Sequence, residues 1–211
     1  MRYVALALCA VLASAGVNAA TLTLDEGIKF WVVNGKEQRA KRIQRHETIT
    51  LVPGENQIVI RYDDEVKDGS KTRVFTSKPY AFLLNVVEGD EITLLLPQRL
   101  RTLSQAKAFF RDPQWLLQYQ QDEPQAIETQ RIEGNGLGAY SDPEAVVAAY
   151  NQTQGIVIDD EQLFDYKKDA VTISDEGEIE LSDNAVAQLK MWYTRASDKE
   201  KVAFKVWLAQ Q

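Results

Sequence analysis

Short segments in which polar and apolar residues alternate dominate the first half of the chain, and each of them ends at a turn signal. Residues 21–24 (TLTL) alternate strictly, which is typical of a strand with one buried face. The β-prone residues 28–33 end at Asn34-Gly35, a dipeptide that favours a tight hairpin turn. This period of two predicts β-sheet for this region.

The strongest local signal is a pair of matched runs around Pro53-Gly54. Residues 48–52 and 57–62 alternate in the same way on either side of this turn, which predicts a hairpin over residues 49–62. With the strand spacing of the whole region, this pattern predicts an antiparallel β-sandwich over residues 20–98. The remaining strand candidates are residues 73–76, 80–87 and 91–96.

Helix signals enter the sequence from residue 99 onward. Ser104 predicts the N-cap of a short helix through Arg111, and residues 115–119 predict another strand. Ser141-Asp142-Pro143-Glu144 has the pattern of a capping box with proline in the first turn, which predicts a helix to about Gln152. The region therefore mixes helices and strands.

The end of the chain predicts a hairpin followed by two helices. Residues 170–173 and 178–181 flank a turn, Ser182 predicts the start of one helix, and a capping box at Ser197 opens a terminal helix. Apolar residues fall on one face of each helix, so we expect the pair to dock on the sheet. The predicted fold is α+β: a β-sandwich-like part over residues 20–98, then a mixed region over 99–211 that ends in a helical hairpin.

Residues 1–19 have the three parts of a secretory signal peptide. A basic start is followed by an apolar run over residues 4–17, and small residues precede a predicted cut after Ala19. We therefore expect export, and no later apolar run reaches the length that a membrane-spanning helix needs. Cys9 lies in the segment to be removed, so the mature chain would have no thiol for a disulfide, a metal or a nucleophile.

Charge argues against binding to nucleic acid. The chain carries a net charge of -7, and loss of Arg2 leaves 23 basic against 31 acidic residues, or -8. Proteins that bind phosphate backbones non-specifically do so through an excess of lysine and arginine. Nucleic acid is therefore not an expected partner.

Motifs for known chemistries are missing. His46 is the sole histidine, which excludes sites with two histidine ligands, and no nucleophile elbow accompanies it. The spacing of Gly134, Gly136 and Gly138 does not fit a phosphate loop, and the role of residues 134–138 stays open. No catalytic residue, metal ligand or cofactor is predicted.

Other candidate groups have structural explanations. The acidic clusters at residues 63–65 and 159–161 lack the spacing of a calcium loop and predict solvated turns. The four tryptophans are dispersed among apolar neighbours, which favours core packing over a sugar-binding platform. They are Trp31, Trp115, Trp192 and Trp207.

Taken together, these features resemble the YccT-like family of exported gammaproteobacterial proteins. The resemblance rests on the signal peptide, residues 21–24 and 32–36, the predicted hairpin over 49–62, and above all the ending at residues 188–193 with Phe204 and Trp207-Leu208. The family is largely uncharacterised and is described as periplasmic. The resemblance implies a role in restraining the assembly of curli-type extracellular amyloid, and it assigns no functional residues.

The leading hypothesis is a non-enzymatic periplasmic protein that binds an unfolded or β-prone exported polypeptide, such as a curli-type subunit. An exposed edge strand, for instance in the hairpin over residues 49–62, would add to a client strand through main-chain hydrogen bonds. Two alternatives stay open: a carboxylate-based envelope hydrolase, and an adaptor that docks through its terminal helices. The sequence leaves the client, the binding surface and the oligomeric state undetermined.

Overall fold

The computed structural model describes residues 19–38, 46–134, 136, 138–159, 162–165, 172–173, 179–180, 189, 193 and 196–209. The predicted signal peptide lies outside these residues, apart from Ala19. The elements in chain order are β1 (Ala20–Leu24), β2 (Ile28–Val33), β3 (Lys36–Glu37), β4 (Glu47–Leu51), β5 (Gly54–Asp68), β6 (Lys71–Thr76), β7 (Tyr80–Val86), β8 (Glu91–Leu95), α1 (Leu103–Phe109), β9 (Trp115–Tyr119), β10 (Gln125–Ile127), β11 (Gln130–Arg131), α2 (Pro143–Gln154), β12 (Ile156–Asp159), β13 (Gln162–Asp165), β14 (Thr172–Ile173), β15 (Ile179–Glu180) and α3 (Asp198–Leu208).

Two sheets face each other, and the fold is α+β. Sheet A has the strand order β10-β9-β8-β1-β4, and sheet B has the order β11-β7-β5-β2-β3, with β6 paired to the distal half of β5. The predicted antiparallel arrangement is wrong at one place, because β1 and β8 pair in parallel. The chain crosses from sheet B to sheet A between β7 and β8, so β8 reaches β1 running in the same direction.

The main core lies between the sheets. Alternate residues of each strand point inward, as the period of two requires, and the central ones are completely buried. Burial of each such aliphatic side chain stabilises the fold by about 1.5–3 kcal/mol. The inward residues with no exposed surface are Ala20, Leu22, Leu24, Ile28, Ile58, Ile60, Leu94 and Trp115.

The predicted hairpin over residues 49–62 is wrong, because its two arms belong to different sheets. β4 pairs with β1 in sheet A, whereas β5 lies between β2 and β7 in sheet B. The side chain of Asn56 donates to the carbonyl groups of Val52 and Gly54, at 2.9 and 3.0 Å, and holds the connection as a corner. Alternation alone cannot distinguish two strands that pair from two that face each other across a core.

The turn at Asn34-Gly35 confirms its sequence signal. Both residues have positive φ, 45° and 75°, as a two-residue hairpin turn of this kind requires, and β2 pairs with β3 across it. The acidic residues 63–65, predicted as a turn, are instead part of the fifteen-residue strand β5. β5 and β6 pair as a hairpin, and the turn of this hairpin lies at Gly69, which has a positive φ.

The N-cap of helix α1 lies two residues earlier than predicted. Thr102, and not Ser104, is its N-cap, and Thr102 forms a capping box with Gln105. The helix also ends at Phe109 rather than at Arg111. Ser104 lies inside the first turn, where it has no capping role.

Helix α2 forms where it was predicted, with a different cap. Asp142 is its N-cap and accepts from the N–H of Ala145 at 3.0 Å, so the predicted capping box from Ser141 is wrong. Pro143 occupies the first turn, and Gly155 with a φ of 75° ends the helix. Val147 packs on Trp31 and its neighbours on the outer face of sheet B.

The C-terminal region agrees with the sequence in part. The predicted hairpin of residues 170–181 is present as β14 and β15, and Ser197 caps α3 in a capping box with Glu200. Of the helix predicted from Ser182, the structure describes residues 189 and 193, and both are helical. The acidic residues 160–161 and Trp192 lie outside the described residues. Trp207 was expected in the core but is 52% exposed, and Val202 and Val206 of α3 are 61% and 53% exposed.

Both sheets take strands from either side of residue 98. Sheet A includes β9 and β10, and sheet B includes β11. The division of the chain at residue 98 stays a prediction. No helix in the part of the chain that the structure describes is long and apolar enough to cross a membrane.

Candidate strand-binding groove

A groove of about 640 Å³ runs beside β7, between helix α2 and the segment that joins β10 to β11. We call it the β7 groove. Its size falls in the range of functional ligand sites in proteins. Its lining residues are Gln57, Ala81, Phe82, Leu83, Pro113, Ile127, Glu128, Thr129, Gln130, Tyr150, Gln154 and Ile156.

The distal half of β7 has an open edge in this groove. On that side β11 pairs with Tyr80 and Ala81 only, and no other described strand continues the sheet. Ile132 N–H donates to the carbonyl of Pro79 at 2.9 Å, so odd-numbered residues of β7 direct their main-chain groups to this side. The N–H and C=O groups of Leu83 and Asn85 therefore point out of the sheet, and Leu83 lines the groove.

Helix α2 forms the outer wall and is fixed to sheet B by a buried amide pair. Gln57, which has no exposed surface, donates to Asn151 Oδ1 at 2.6 Å and accepts from Asn151 Nδ2 at 3.1 Å. Buried amides need such partners, because each unpaired group would cost about 1–3 kcal/mol. This reciprocal pair sets the position of the neighbouring Tyr150.

Tyr150 connects the outer wall to β11. Its hydroxyl donates to Gln130 Oε1 at 2.8 Å, and burial raises the pKa of the phenol above its usual value. The phenol oxygen keeps a lone pair, and Gln130 Nε2 keeps its hydrogens as donors. Tyr150 and Gln154 lie four residues apart and so share one face of α2.

The inner wall is apolar. Phe82 belongs to the core between the sheets, and Ile127 packs against that core from β10. Pro113 completes this side of the groove. The two walls therefore differ in chemistry, one offering amide and hydroxyl groups and the other hydrocarbon.

The groove does not supply the two carboxylates that the hydrolase alternative requires. Glu128 is the one acidic residue in its described lining. Among the described residues no group of histidine, cysteine, aspartate and glutamate side chains is arranged to hold a metal ion. The chemistry that this arrangement offers is recognition through hydrogen bonds and apolar contact.

The residues considered in the sequence lie elsewhere. His46 is at a bend before β4, with Nδ1 at 3.3 Å from the carbonyl of Leu24. Tyr140 holds the segment around Gly134, accepting from its N–H at 3.0 Å and donating to the Ile132 carbonyl at 3.2 Å. A Cβ at Gly134 would lie 2.6 Å from that of Ala139, so the close packing requires glycine there.

The edge proposed from sequence is only partly open. β5 is paired on both sides over residues 58–60, with β2 and β7, whereas its described strand partner is β7 alone over residues 54–57 and β6 alone over residues 63–68. β4 ends sheet A, and no described strand lies on its other side. Sequence reasoning did not single out Leu83, Gln130 or Tyr150, and the four-residue spacing of Tyr150 and Gln154 on α2 was the one available signal.

The fold and the groove define a two-sheet α+β protein with a strand edge left open beside a helix. The chain belongs to the bacterial family described as "Uncharacterized protein conserved in bacteria (DUF2057)", whose sequence model matches residues 21–207. The matched region includes both sheets and α2, so it contains the elements that build the groove.

Curated relatives in Vibrio and Shewanella carry the name UPF0319 protein. One from Vibrio vulnificus is 27% identical over 211 residues, covering 98% of each chain. One from Vibrio parahaemolyticus is 32% identical over 146 residues, covering 69% of this chain and 73% of its own. One from Shewanella piezotolerans is 28% identical over 204 residues, covering 92% and 90%. No solved structure matches the chain.

Proposed function

We propose that the protein is a non-enzymatic binding protein of the periplasm that captures an extended, β-prone exported polypeptide. The client segment would lie in the β7 groove and continue sheet B beside the distal half of β7. The observation that carries this proposal is the outward direction of the main-chain groups of Leu83 and Asn85 at an open edge. The signal-peptide pattern of residues 1–19 supports the export and the periplasmic location in this proposal.

A curli-type amyloid subunit is the client that the YccT-like resemblance suggests. A client strand held in the groove is unavailable as a template for further strands. Binding to the edge of a growing cross-β assembly would therefore cap that assembly. The net charge of -7 would also disfavour acidic clients, because like charges repel at long range.

The test is the growth curve of a purified curli-type subunit, followed by thioflavin fluorescence, with the protein chain from residue 20 added well below equal amounts. The proposal expects a longer lag. An unchanged curve would remove this client. A lengthened lag would make the groove variants the next step.

Proline at Leu83 tests the groove. The N–H of Leu83 points away from β5, so Leu83→Pro removes a groove-facing donor and leaves the pairing with β5 in place. We expect this variant to lose its effect on the lag. Asn85→Pro changes the next outward N–H and serves as a second variant should Leu83→Pro not fold.

Val74→Pro is the matched control. Ser77 N–H donates to the Tyr62 carbonyl, so by alternation the N–H of Val74 points away from β5 at the free edge of β6. Val74 is 59% exposed and lies outside the groove. Circular dichroism would establish the fold of all three variants. If the Leu83 and Asn85 variants fold and still lengthen the lag, the β7 groove is not the binding site.

The adaptor alternative is favoured by one separate observation. Helix α3 exposes large apolar side chains, among them Val202 at 61% and Leu208 at 57%. Several exposed apolar side chains on one element are a common feature of interaction surfaces. Deletion of residues 197–211 separates the possibilities: a retained fold and retained lag effect exclude α3 from client binding, whereas a retained fold with loss of the effect assigns binding to α3.

A further inference from the structure

The chemistry of the two walls of the β7 groove bears on which strand the groove binds. Residues of β7 alternate between the two faces of sheet B, so Leu83 lies on the face of α2 and Phe82 on the face of the core. An added strand would obey the same alternation. Side chains of the client next to Leu83 would meet the α2 wall, and those next to Phe82 and Leu84 would meet the apolar wall.

The hydrogen-bonding capacity of the α2 wall is mixed. Tyr150 uses its hydrogen on Gln130 Oε1, which leaves the phenol oxygen as an acceptor and Gln130 Nε2 as a donor. A primary amide can donate to the first and accept from the second at the same time. A carboxylate can do only the latter, and Glu128 on the same groove adds repulsion.

We infer that the groove selects extended segments in which apolar residues alternate with amide residues, and discriminates against those in which they alternate with acidic residues. This inference rests on the strand capture proposed above and gives its chemical specificity. The apolar residues face Phe82 and Ile127, and the amide opposite Leu83 bonds with Tyr150 and Gln130. The occupant is thus a strand from another polypeptide with a period of two.

Three peptides of equal length test the inference directly. The first alternates valine and glutamine, the second has the same composition with all valines before all glutamines, and the third alternates valine and glutamate. Each carries a terminal lysine for solubility and a fluorescent label, and binding is measured by anisotropy. We expect the first to bind about tenfold more tightly than either of the others, which corresponds to one or two hydrogen bonds.

Gln130→Met tests the α2 wall with little change in side-chain length. It removes the amide donor, and we expect it to reduce the preference for glutamine over glutamate while the weaker main-chain binding remains. Tyr150→Phe removes the hydroxyl and should have the same effect. A preference that survives both substitutions would overturn the role of this wall.

The outcomes separate this inference from the proposed function. Equal binding of the three peptides, abolished by Leu83→Pro, would keep strand capture and overturn the selectivity. Absence of binding for all three would contradict strand capture itself. Sedimentation of the protein alone is the last control: a dimer that dissociates on Leu83→Pro would make a second copy of the chain the occupant and overturn the inference.

Discussion

At the scale of single residues, the amide pair between Gln57 and Asn151 determines where the outer wall of the groove stands. We expect Asn151→Ala to lower the free energy of unfolding by about 1–3 kcal/mol, since the buried Gln57 amide would lose both of its bonds to this partner. Urea denaturation measures this loss. Replacement of both residues by leucine should lower the free energy of unfolding by less than the sum of the two single leucine replacements. Strict additivity would contradict a direct coupling.

The buried hydroxyl of Tyr62 should make the free energy of unfolding depend on pH. Burial, with the nearby Asp64 carboxylate, raises the pKa of its hydroxyl well above the usual value of about 10. Below pH 10 the hydroxyl is protonated in both states, so its contribution is complete there. Above pH 10 the unfolded chain ionises first, and stability falls as pH rises. Tyr62→Phe should therefore flatten the decline of the melting temperature between about pH 10 and 12, and an unchanged slope would contradict the assignment.

At the scale of elements, the start of α1 shows how close sequence reasoning came. A polar residue before an apolar stretch indicated a cap, but Thr102 and Ser104 both satisfy this pattern, and only Thr102 has a glutamine three residues later. We expect Thr102→Ala to destabilise the protein by about 1 kcal/mol and Ser104→Ala to have little effect. Thermal unfolding of the two variants compares them, and the reverse order would place the cap at Ser104.

Single strands were predicted far better than their neighbours. The bounds of β9 at residues 115–119 agree with the sequence, because alternation and β-branched or aromatic residues report on one strand at a time. Pairing depends on distant residues, and the assignment of β4 and β5 to different sheets left no local signal. The open edge of β7 has the same origin, since it exists only because β11 ends after two residues.

At the scale of the whole molecule, the two-sheet core could be predicted and the candidate site could not. Inward residues such as Ile58 follow from the period of two, whereas the groove combines β7, α2 and the connection between β10 and β11. Ile58 has no exposed surface, so Ile58→Lys should unfold the protein and abolish its circular dichroism signal of folded β-sheet. A folded Ile58→Lys protein would contradict the register of β5.

The choice among the edges of β7, β6 and β4 is a question for the whole molecule, and the absence of cysteine after residue 9 makes it measurable. Single cysteines at Asn85, Val74 and Thr50 place a spin label on the edges of β7, β6 and β4, and all three side chains are exposed. Client binding should immobilise the label at Asn85 and leave the labels at Val74 and Thr50 mobile, because an added strand orders only the edge that it joins. Immobilisation at Thr50 alone would move the binding site to sheet A, and immobilisation at Val74 alone would move it to the β5–β6 hairpin.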